Sequence, residues 1–158
     1  MDPPLTLPLD YTAIERILPH RYPFLLVDRI VEFEEDTRIV GIKNVSLNER
    51  YLARRKGEQP VLPPSILTEA VAQVGAILIL AKPENREKLI YFREVERVRY
   101  HRPVHPGDVV RIEASVVRLR SRVGQLSGVA RVDSEIVLDG LMTFALGPSP
   151  KSSGSPGG

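Results

Sequence analysis

Cysteine is absent from the 158-residue chain, which excludes disulfides and thiolate-held metal. Histidine is scarce. Only His101 and His105 of the three lie close together, too few ligands for a zinc site, so no metal is expected. Long hydrophobic runs are missing as well. The longest, Val74 to Ala81 behind Glu69 and Gln73, is too short and interrupted to span a bilayer. The opening MDPPLTLPLD lacks the basic and apolar regions of a secretory signal, so the expected setting is the cytoplasm. Nor is there a large excess of one charge. A net charge of +2 suits an acidic partner but falls short of a nucleic-acid-binding profile. Arg97, Arg99, Arg102, Arg118, Arg120 and Arg122 share their strands with Glu94, Glu96 and Glu113, as on an ordinary wet sheet face.

What is present is a chain of ordinary globular composition, 42% hydrophobic and 27% charged, of a length that suits one domain. Residues 1–9 are Pro-rich and expected to be extended, residues 10–146 form the domain, and 147–158 read as a disordered tail. Asp10 can cap a short helix, YTAIERIL, stopped by Pro19. FLLVDRIVEFE and RIVGIKNVS read as a hairpin around Glu35-Asp36. Residues 48–59 are polar and without period, a loop. Pro63-Pro64 can open a helix that runs over small and apolar residues to about Ala81. From Leu89 onward, four alternating segments predict antiparallel strands, with turns at Pro106-Gly107 and Val123-Gly124.

A helix apolar on most of its circumference must be buried on most sides. The sheet is all there is to cover it. The expectation is an α+β chain in which a curved antiparallel sheet wraps one central helix, the hot-dog arrangement, commonly joined edge to edge as a dimer.

Four motifs, LPHRYPFLLVDRI, KNVSLNE, PVLPPSILTEAVAQ and RPVHPGD, occur in that order. In sequence and spacing the chain resembles the β-hydroxyacyl-acyl-carrier-protein dehydratases of fatty-acid synthesis, the FabZ type, over roughly residues 11–146. The resemblance implies removal of water from a 3-hydroxyacyl thioester on acyl carrier protein, without a cofactor. It also implies a loop Gly-His-Phe-Pro whose His is the base. A helix Glu of the partner subunit acts on the leaving hydroxyl, and a Gly at the helix start donates its N–H to the thioester carbonyl.

Carried over position by position, the helix acid matches Glu69 and the following Gln matches Gln73. The loop falls on Arg54-Arg55-Lys56-Gly57, so Arg55 stands where the base would be, and Pro64 stands where the donor Gly would be. A guanidinium stays protonated up to a pH of about 12 and cannot accept the proton. Proline has no N–H to donate. Loss of a base removes about 10²–10⁴ of rate, and loss of one oxyanion donor about 10²–10³. His20 belongs to LPHRYPF, and none of the three histidines aligns with the loop. Ser65 could stand in for the lost donor, or simply satisfy its own helix end.

Glu69 is then either a retained acid or a buried carboxylate needing a partner. The preferred reading is a salt bridge with Arg55, across a dimer interface as His and Glu meet in the family. Arg54, Arg55 and Lys56 either attract an acidic carrier protein or phosphopantetheine phosphate, or form a solvated loop diluted by Glu49 and Glu58. The function expected is a non-catalytic binding or dimerisation subunit of FabZ-like kind. It would be a homodimer, a higher oligomer, or the silent half of a heterodimer with a paralogue. The alternatives are an acyl thioesterase using Glu69, and a divergent but active dehydratase.

Overall fold

The computed structural model describes residues 5–148; the first four residues and most of the expected tail lie outside the described range. Helix α1 (Tyr11–Ile17) starts where Asp10 accepts from the Ala13 N–H at 2.9 Å. It buries Ile14 and Ile17. Strands β1 (Arg29–Glu34) and β2 (Arg38–Asn44) form the expected hairpin, with Asp36 at φ 58° in its turn. The central helix α2 (Pro64–Leu80) follows, and then four long strands: β3 (Leu89–Tyr100), β4 (Val109–Arg120), β5 (Val123–Val132) and β6 (Glu135–Gly147).

All the strands belong to one antiparallel sheet in the order β1-β2-β4-β5-β6-β3. From Ala70 to Leu80 every residue of α2 is buried. This is the hot-dog arrangement. Helix and sheet approach closely because glycines remove side chains from the contact. A Cβ on Gly128 of β5 would lie 2.4 Å from Val71 Cγ1, and one on Gly75 of α2 would lie 2.7 Å from Leu126 Cδ1. Fully buried Leu67, Ile77, Leu78 and Ile112 each contribute about 1.5–3 kcal/mol by leaving water. Beyond the C-terminal end of α2, Asn85 Nδ2 donates to the Ile79 carbonyl at 3.0 Å, satisfying one of the orphan acceptors there.

Three local expectations need correction. The first strand begins at Arg29, not Phe24, because the segment before it is bonded by a helix side chain rather than by a neighbouring strand along its length. The turn expected at Val123-Gly124 lies at Ser121-Arg122, where Ser121 takes φ 38°; Val123 and Gly124 already pair with β6. Gly147, assigned to the tail, is the last residue of β6 and pairs with Leu89.

Candidate active site

Gln73 organises the site. It is 1% exposed, on the inner part of α2. Its Oε1 accepts from the Leu26 N–H at 2.9 Å, and its Nε2 donates to the Phe24 carbonyl at 2.8 Å and to Glu69 Oε1 at 3.1 Å. A buried amide left without partners would cost stability, and here both of its ends are used. The clamp ties residues 24–26 to the helix and holds Glu69 one turn away on the same helix face.

The same geometry brings in His20. Its Nε2 lies 3.5 Å from Glu69 Oε1, and its ring contacts Phe24 with centroids 6.2 Å apart. His20 Nδ1 is buried and has no hydrogen-bond partner among the described residues. His20, Glu69 and Gln73 line a cavity of about 300 Å³. Ala72 and Ala76 contribute small side chains from α2, and Ile90, Tyr91 and Phe92 close it from β3. The arrangement offers an apolar wall, a carboxylate and an imidazole. Sequence reasoning left His20 out because it lies 49 positions from Glu69, and the Gln73 clamp that helps join the two segments is invisible in a linear pattern.

Arg55 is elsewhere. The loop before α2 is pinned by paired backbone bonds between Ala53 and Val61, at 2.9 and 3.0 Å, and turns over at Gly57 with φ 81°. Arg54, Arg55 and Lys56 are exposed; Arg54 donates to the Leu47 carbonyl at 3.3 Å, and Glu58 N–H donates to the Arg55 carbonyl at 3.1 Å. Within the chain Glu69 faces His20 and Gln73, while Arg55 lies on the exposed loop; the ion pair expected between Arg55 and Glu69 is one across a dimer interface.

Pro64 is the first residue of α2, and Ile66 and Leu67 both donate to the Pro63 carbonyl, at 3.0 and 3.1 Å. Ser65 N–H therefore stands as the first helix donor, with no intrahelical acceptor available to it. Ser65, Glu69 and Gln73 follow at four-residue spacing on one face.

Two of the motifs gain a structural meaning that sequence reading missed. In KNVSLNE, Lys43 and Glu49 form an ion pair at 3.0 Å with side chains only 4% and 13% exposed, fixing the start of the loop. In RPVHPGD, His105 Nδ1 meets the Pro60 carbonyl at 2.8 Å and its N–H donates to Asp108 at 2.9 Å, fixing the other end. His101, paired with Asp139 at 2.5 Å, is exposed on the sheet. Tyr100 reaches the Leu62 carbonyl at 3.4 Å, and burial raises its pKa. No cluster of metal-ligating residues occurs among the described residues.

The model of the FabA-like domain matches residues 18–141, a span that includes His20, the loop, α2 and most of the sheet. The chain belongs to the FabA-like family. Within it, the chain is 49% identical over 139 residues to the 3-hydroxyacyl-acyl-carrier-protein dehydratase FabZ of Anoxybacillus flavithermus, covering 88% of this chain and 98% of that protein. It is 48% identical over 142 residues to FabZ of Geobacillus thermodenitrificans, covering 90% and 98%. Among solved structures, the dehydratase heterocomplex ApeI:P from Xenorhabdus doucetiae superposes with a TM-score of 0.74 at 18% identity, over 87% of this chain and 92% of that one. A hypothetical thioesterase with coenzyme A from Streptococcus pneumoniae superposes with a TM-score of 0.60 at 12% identity, over 76% and 85%. These structural likenesses are likenesses of fold. No described helix of this FabA-like chain is long and apolar enough to cross a membrane.

Proposed function

We propose that the protein takes a 3-hydroxyacyl or related acyl thioester of fatty-acid metabolism into the cavity beside Glu69, and that it serves as a binding or dimerisation subunit in which the family's ordinary dehydration route is lost. The FabZ relatives are dehydratases of 3-hydroxyacyl groups on acyl carrier protein, so the same acyl carrier is the proposed partner, with Arg54 and Lys56 on the exposed loop available to its acidic surface. The observation that carries the reading is position 55. An arginine stands there, exposed, at the position that the resemblance gives to the family's base, and a guanidinium cannot accept the proton. Pro64 removes the donor at the helix start. No cofactor is required.

The test follows enoyl product from a 3-hydroxyacyl-acyl-carrier-protein. The natural chain is expected to run far below the usual enzyme range of about 1–10³ s⁻¹. Arg55→His/Pro64→Gly is expected to gain about 10²-fold or more, returning a base and a donor together. Turnover at an ordinary enzyme rate in the natural chain would falsify the loss of function.

One observation favours a second reading. Ser65 N–H is left without an intrahelical partner, on the helix face that carries Glu69 one turn later. This is the minimal equipment of a thioester hydrolase, with Glu69 activating water. Thiol release from an acyl thioester that disappears in Glu69→Gln would support it over the first.

A further inference from the structure

We propose that His20 is the proton acceptor of this site, working with Glu69 of the same chain in place of the residue at position 55. The proposal rests on the reading above that the cavity takes a 3-hydroxyacyl thioester, and it adds a residual elimination chemistry to it. Three observations carry it. His20 Nε2 and Glu69 Oε1 face each other at 3.5 Å on one cavity of about 300 Å³. Glu69 is held there by a buried amide that has no freedom to turn, because its own oxygen and nitrogen are engaged by Leu26 and Phe24. His20 also buries Nδ1 without a partner among the described residues.

An unpaired buried nitrogen costs stability. An apolar side chain would fill the same space without that cost, so the imidazole is explained by what its other nitrogen faces. Among the described residues nothing accepts from or donates to Nδ1, so the ring is not tied to one tautomer, and in the tautomer with its proton on Nδ1 the Nε2 atom is the free acceptor. A base must lie within reach of the proton it removes, and Ala72 and Ala76 leave room along the helix for a substrate carbon beside the pair.

The step balances. Nε2 takes the proton from C2 of the acyl group, and the C2–H electron pair becomes the C2=C3 double bond. The C3–O bond breaks with its electrons on oxygen, which takes that same proton back from Nε2 and leaves as water. His20 ends as it began, and the Glu69 carboxylate faces the imidazolium at 3.5 Å while it carries the proton.

The experiment measures enoyl formation from a 3-hydroxyacyl-acyl-carrier-protein by the full chain, together with binding of that substrate. The natural chain is expected to show slow turnover above the uncatalysed rate. His20→Gln, which keeps a hydrogen-bonding group near Glu69, is expected to lose about 10²-fold in kcat or more with KM nearly unchanged. His20→Ala is expected to regain turnover when imidazole is added to the buffer, whereas Glu69→Gln is not. A merely structural histidine would show no such rescue. Turnover that survives His20→Ala in a folded protein overturns the proposal. Binding without any turnover in the natural chain also overturns it while leaving the binding function intact; absence of both overturns the two together.

Discussion

At the scale of single residues, burial decides which side chains matter. Lys43 and Glu49 are a nearly dry ion pair, and a charge stripped of its partner there keeps its desolvation cost. Lys43→Met is expected to destabilise the fold by about 3–5 kcal/mol in denaturant unfolding. Lys43→Met/Glu49→Leu should recover most of that loss, since an apolar pair of similar volume does nearly as well as a buried ion pair. A single variant that loses less than about 1 kcal/mol would show that the pair is solvated rather than buried. Gln73 is legible in the sequence as a position shared with the family, but not as the clamp that draws Phe24, Leu26 and Glu69 together. A side chain whose partners lie 47 and 49 positions away leaves no local trace.

At the scale of elements, the helix and sheet meet through glycine. Gly128→Ala would push a methyl group against stiff, β-branched Val71, and an overpacked contact of this kind costs about 1–3 kcal/mol. Adding Val71→Ala to it should return part of the stability, visible as a coupling energy in a double-mutant cycle. Lys82, just beyond α2, pairs with Asp36 in the β1–β2 turn and joins two elements far apart in the chain. Its hydrogen bond to Asp36 raises its pKa above the ordinary 10.5, against desolvation, with the Asp36, Glu84 and Glu35 charges adding to the rise. A lysine whose folded value is raised binds its proton more tightly when folded. Its contribution is therefore complete below 10.5 and is lost as the pH climbs through the raised value. The difference in melting temperature between the natural chain and Lys82→Met should be constant near neutrality and shrink in strong alkali.

Helix and strand positions were largely legible at this scale, because α2 is apolar on most of its circumference and the strands alternate. The errors came where tertiary contacts replaced local signals. Phe24 to Asp28 has the composition of a strand, yet Gln73 bonds the backbone of Phe24 and Leu26, and only at Asp28 does the segment meet β2, at the Ile42 carbonyl. Val123-Gly124 looks like a turn, yet Ser121 accepts the positive φ and the glycine instead makes space for Phe144.

At the scale of the whole molecule, the sheet ends in a twelve-residue edge. Strand β3 pairs with β6 on one side only, and exposes Tyr91 and Val95 at 53% and 50%. A long edge with apolar side chains is a template for pairing with a second copy. Sedimentation is expected to give twice the 17.7 kDa mass of the chain, and Val95→Lys to shift the population toward monomer. A natural chain that sediments as a monomer at micromolar concentration would remove the dimer from the proposed function.

The sequence by itself determined the architecture. A helix apolar on most of its circumference has to be wrapped, alternating strands supply the wrapping, and both patterns are local periodicities that survive in a linear string. It also determined that position 55 holds no base and position 64 no N–H, since those are properties of the residue types. Tertiary structure alone decided what Glu69 faces. The approach of His20 depends on a buried amide, a helix face and a segment that never becomes a strand. Contacts between residues so far apart are set by packing of the folded chain rather than by any spacing along it.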